Sequence, residues 1–164
     1  MGRENEGAAA LFSSFNIERI IFVAFALGSI QYCLDVACEH ARNRKVFNDT
    51  PIGKYQSIQH PLADVKIRAE AVRNMLFQAI NAIDQGADAL TVGSLVNSAK
   101  YLASEAGLKA VDAAMEALGG KGFNEDYGVI QLWELMRLLR LSPISNSLIL
   151  NDVAERLLGL PRSY

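Results

Sequence analysis

From residue 15 onward, apolar positions recur at helical spacing. Ile17, Ile20, Ile21, Ala24, Leu27, Gly28, Gln31 and Leu34 predict one helix over about 15–43. At ~1.5 Å per residue it would exceed ~40 Å. A second set, Ile58, Leu62, Val65, Ala69, Val72, Leu76, Ala79 and Ile83, alternates steps of four and three. That is the seam of a helix packed at a shallow angle on its neighbours. Pro61 fits its first turn, where a missing N–H costs nothing. "DQGADAL" breaks the pattern, and a third helix follows over about 88–118 with a small inward face of Ala99, Ala103, Ala106, Ala110, Ala113 and Ala117. "LGGKGFNEDYG" reads as a loop, and 129–140 and 145–158 as shorter helices separated by "SPIS". Ser145 suits an N-cap, and Gly159 a stop before Pro161. Alternating β-branched runs with Asn-Gly turns are missing. The pattern predicts an all-α, antiparallel, four-helix-bundle-like domain of three long and two short helices.

Bulk properties narrow the class without naming a function. A chain of 164 residues is one domain that buries about two-thirds of its unfolded surface. Net charge is −2 with both signs interspersed, which excludes an electrostatic footprint for nucleic acid. Eleven apolar or small residues follow Arg19 before Gln31 and Asp35 intervene. That is short of the ~18–20 a bilayer span needs. The N-terminal "MGRENEGAAALF" lacks the apolar core of a secretory signal. Cys33 and Cys38 point in different directions on one helix and form no CxxC pair. With His40 and His60 the sole histidines, a metal site is hard to assemble. These features predict a cytoplasmic domain without metal or membrane span.

Three stretches carry candidate chemistry. "LGGKGF" (118–123) ends a helix and turns the chain, or brings exposed N–H groups to an anion. "RNRKVF" (42–47) places cations where they complement a helix dipole, or where a guanidinium forks onto phosphate. "YQSIQ" (55–59) is a polar loop or a set of amide donors to a heterocycle.

Their order is more specific than any one of them. "ERIIFVAFALGSIQYCLD", "PIGKYQSIQHPLAD", "LGGKGF", "LLRLSPIS" and "VAERLLGLPRSY" together resemble the C-terminal domain of the acyl-CoA dehydrogenases over essentially the whole chain. The resemblance divides the chain into 1–12, a remnant of a preceding β-domain or linker, and 13–164, the helical bundle. It implies FAD-dependent α,β-desaturation of an acyl-CoA thioester, with electrons passed to an electron-transfer flavoprotein, in a homo-oligomer (dimer or tetramer). Arg44 would contact the FAD diphosphate, Tyr55 and Gln56 would lie beside the flavin, and Gly119–Gly120 would line the adenosine side. Ser145 would replace a family Thr near the flavin. Glu116 stands where the family has Gln, a carboxylate close to the cofactor.

Most members carry the catalytic base before the last helix in Tyr-Glu-Gly-Thr, where this chain has Pro143. A branch similar to isovaleryl- and long-chain acyl-CoA dehydrogenases carries it on the first helix instead, at the position of Glu18, with Arg19 as orienting neighbour. The plainer reading has Asn16 cap that helix and Glu18 sit in its first turn. Departures from the pattern are Asn48 after Phe47 with one extra residue, and "ELMR" (134–137) for Arg-Asp-Ala-Arg. With two upstream domains of the family missing, the chain alone should not enclose substrate. The resemblance leaves two possibilities: a piece of a full enzyme, or a truncated, non-catalytic helical assembly module.

Overall fold

The computed structural model describes residues 7–163. Three long helices, α1 (Gly7–Asn43), α2 (Gln56–Asp84) and α3 (Ala89–Leu118), precede two short ones, α4 (Val129–Leu139) and α5 (Asn146–Asp152). The bundle is all-α apart from one small hairpin. Asn16 bonds to Ala89 and Arg19 to Asn97, so the starts of α1 and α3 lie together. Those two helices therefore run in the same direction, with α2 returning between them. The fold thus has two ends, one at the starts of α1 and α3 and one at their finishes.

The alanine face of α3 is buried as its spacing requires, and Leu62, Val65, Ala69, Val72, Leu76 and Ala79 of α2 pack against it. Small side chains bring the backbones close. A Cβ added at Gly107 would collide with the Met136 side chain of α4. Asp88 caps α3 by accepting from Leu90 N and Thr91 N. Ser145 caps α5 by accepting from Leu148 N. Past α5 the helix widens into a π turn over Val153–Leu157, and Gly159 ends it at a φ of 65°.

Five expectations need correction. Helix α1 is already formed at Gly7, nine residues before Asn16, so Asn16 is not its cap and Glu18 is not in its first turn. The 1–12 segment is therefore helical from Gly7 on, while residues 1–6 lie outside the described ones.

The buried face of α1 is also rotated from the predicted stripe. Val23, Ala26, Ile30, Cys33 and Ala37 are in the core, whereas Ile17 and Ile21 are 59% and 62% exposed. Because α1 is apolar on both sides, periodicity could not choose between them. By length and composition Ser14–Asn43 could cross a membrane, contrary to the shorter apolar run read from sequence. Its inner face nevertheless packs on α2 and α3 as a core helix.

Helix α2 starts at Gln56, so Pro61 lies in its second turn, where it leaves the Ser57 carbonyl without the usual helical donor. Finally, Lys45–Val46 and Thr50–Pro51 form a two-strand hairpin, β1–β2. Its tip, Phe47, Asn48 and Asp49, has positive φ throughout. Asn and Asp tolerate that region better than most residues.

Candidate functional site

At the finishing end of α1 and α3 lies an open groove of about 500 Å³. Five of the seven residues expected to bind cofactor line it: Arg44, Tyr55, Glu116, Gly119 and Gly120. They reach it from four elements. Arg44 follows the last turn of α1, where its carbonyl accepts from Ile52 N at 2.8 Å and ties the hairpin down. Tyr55 precedes α2, Glu116 closes α3, and the glycines follow it. Gly119 has a φ of 60°, and nothing lies within 4 Å of a Cβ built on Gly119 or Gly120, so their backbone faces open space. Gln56 opens α2, is exposed, and stays outside the lining.

The groove lining carries one cation, Arg44, and one carboxylate, Glu116, beside the His40 imidazole. Burial holds the His40 imidazole below its usual pKa, with Lys121 and then Arg44 adding to the effect. Among the described residues the Arg44 side chain makes no hydrogen bond or ion pair, and Glu116 is the one carboxylate in the lining. A forked guanidinium and exposed backbone beside an aromatic ring fit a dinucleotide phosphate. Glu116 supplies acceptors alone and suits a ribose hydroxyl better than a phosphate. Among the described residues no cluster of His, Cys, Asp or Glu could hold a metal.

The opposite end holds a cleft of about 590 Å³ beneath α5, lined by Asn16, Arg19, Asn97, Ile144, Leu148 and Asp152 among others. Arg19 points into it and is 6% exposed. Its Nη1 donates to Asn97 Oδ1 at 2.5 Å, and Asn97 Nδ2 donates to Asp152 Oδ2 at 3.2 Å. Asp152 in turn pairs with Arg156 at 2.7 Å. Burial lowers the Arg19 pKa, opposed by Asp152 and then Glu18. The Arg19 Nε has no partner among the described residues. Glu18, one position back on α1, is half-buried and outside the cleft lining. Arg19 thus turns inward to Asn97, while Glu18 sits on the flank of α1. Ser145 lies at this end too, its hydroxyl engaged as the cap of α5.

Several polar residues here escaped the sequence reading. Asn97, Lys100 and Ser104 follow one another at steps of three and four on α3 and are all buried. Lys100 Nζ donates to Ile144 O and Asn146 Oδ1, and Asn146 Nδ2 donates to Ser104 Oγ and Glu105 Oε1. Polar residues at core spacing within an alanine-rich helix were the available signal.

The family model for the acyl-CoA dehydrogenase C-terminal domain matches residues 5–158. The chain belongs to the acyl-CoA dehydrogenase family. Acyl-CoA dehydrogenase FadE12 of Mycobacterium tuberculosis is 41% identical over 164 residues, which is 100% of this chain and 42% of that protein. Butyryl-CoA dehydrogenase from Megasphaera elsdenii superposes with a TM-score of 0.88 at 28% identity, covering 96% of this chain and 40% of its own. The FAD complex of PigA gives a TM-score of 0.88 at 29% identity, covering 98% and 40%. The chain therefore spans about two-fifths of the length of these relatives.

Proposed function

We propose that this chain is the FAD-binding and oligomerising part of an enzyme that desaturates an acyl-CoA thioester between its α and β carbons. What supports the reading is convergence. Residues as far apart as Arg44 and Gly120 meet in one groove, five of the seven that the resemblance marked for FAD. Arg44 would hold the diphosphate, Tyr55 the flavin side and Gly119–Gly120 the adenosine side, with Gln56 beside the groove at the start of α2. Bound FAD would supply the hydride acceptor for the β carbon, with an electron-transfer flavoprotein as the onward electron carrier.

Glu18 would take the α proton. It stands mid-helix on the flank of α1, where no capping role accounts for it. Arg19, held by Asn97, fixes that turn of α1 and balances the carboxylate from one position away. Arg19 and Arg44 are ~37 Å apart along α1 at ~1.5 Å per residue. One dinucleotide does not cover that distance, so the groove and the Glu18–Ser145 end would serve two flavins, one in each of two subunits.

Ile17, Ile21, Phe25 and Tyr32 form an exposed apolar stripe on the outer face of α1. The remainder of the full-length protein would pack there. Both thiols are free, in keeping with a cytoplasmic protein. In the full-length protein, Glu18→Gln is expected to lower turnover by ~10²–10⁴-fold while flavin content per subunit stays unchanged. Turnover at the parental rate would exclude Glu18 as the base.

A further inference from the structure

Lys100 is the bulkiest of the fully buried side chains, 2% exposed in the middle of α3. A buried ammonium ordinarily sits on a carboxylate. Here Nζ donates to two neutral oxygens instead, Ile144 O at 2.6 Å and Asn146 Oδ1 at 2.9 Å. Ile144 lies in the segment joining α4 to α5, and Asn146 opens α5. That segment is fastened again where Asn146 N donates to Arg140 O at 2.9 Å, and Arg140 Nε meets Glu105 Oε1 at 2.8 Å. Ile144 lines the cleft, and so do Leu148 and Asp152 on the helix that the segment launches. A neutral amine has two N–H donors, matching the two acceptors. An ammonium has a third, for which no acceptor exists among the described residues.

We propose that Lys100 is a positioning residue whose release from the 141–146 segment requires uptake of a proton, so that the cleft wall is held more firmly as pH rises. The charged groups around it explain the direction. Burial opposes the ammonium most, Arg19 on α1 and Arg140 after α4 oppose it further, and Glu105 on α3 favours it, leaving a pKa of about 8 against an ordinary 10.5. With the segment closed, Lys100 is mostly neutral above pH 8. Once the segment opens, water reaches the amine and it binds a proton up to about pH 10.5. Opening therefore consumes a proton in that window and becomes up to about tenfold rarer per pH unit. The bearing of this latch on catalysis rests on the cleft reading above, whereas the latch itself does not.

The test is hydrogen exchange of the Asn146, Leu148 and Ile149 amides in this chain without flavin or substrate. After correction for intrinsic rate, their protection should rise about tenfold between pH 7 and 9 and stay flat in Lys100→Met. A flat or falling profile in the parent, or a rise that survives in Lys100→Met, overturns the proposal. Should Lys100→Met not fold, Asn146→Asp sets a carboxylate beside Nζ and must move the rise to higher pH. An unmoved rise again overturns it. A failure of the flavin reading would leave every one of these outcomes intact.

Discussion

Arg19 and Arg44 stand at opposite ends of one helix and meet opposite surroundings. Arg19 is buried, bonded to Asn97 and drawn towards Asp152, and its neighbours on α3 and α5 are tied in a continuous polar network. Arg44 is exposed beside His40 and the Gly119–Gly120 backbone, and no side-chain bond holds it. The cleft end has committed most of its polar groups to folding, the Arg19 Nε excepted. The groove end keeps its donors unengaged among the described residues. A site built to receive a ligand keeps its polar groups accessible, while one built to fix geometry satisfies them internally.

The contrast can be broken most sharply with the arginines themselves. Arg19→Ala leaves the Asn97 Oδ1 without its donor beside a cavity and should destabilise the fold by ~3 kcal/mol, whereas Arg44→Ala should stay within about 0.5 kcal/mol. Urea midpoints measure both, and equal losses would erase the distinction. A smaller effect is expected at the groove turn. Gly119→Ala forces an L-residue to a φ of 60° and should cost about 1–2 kcal/mol, although no atom lies in the way. The smallest belongs to the cleft end, where Ser145→Ala removes the cap of α5 for ~1 kcal/mol in thermal unfolding.

Much of the fold was legible where periodicity and caps agree. The third helix, read over about 88–118, spans Ala89–Leu118, and its alanine stripe is buried as predicted. Helix α1 was less legible. "FNIER" imitates a capped start, and an apolar helix with two greasy faces gives no internal sign of which one is covered. The groove was readable because its residues lie in short motifs at element ends. The cleft network was not, because Arg19 finds Asn97 from 78 residues away and Lys100 reaches Ile144 from 44. Nothing local marks such pairings, and the buried lysine looked like any other charge on a helix.

On this reading the groove end would hold one subunit's FAD through Arg44, while the Glu18 end would face a second subunit's flavin without anchoring it. The most direct measurement is flavin absorbance per subunit of the full-length protein after desalting, with Arg44→Ala beside Glu18→Gln. Losing a charge-assisted contact to phosphate, worth ~1.5–3 kcal/mol, should weaken FAD about tenfold to a hundredfold in Arg44→Ala, while Glu18→Gln keeps its full yellow band. Parental flavin content and affinity in Arg44→Ala would contradict the account.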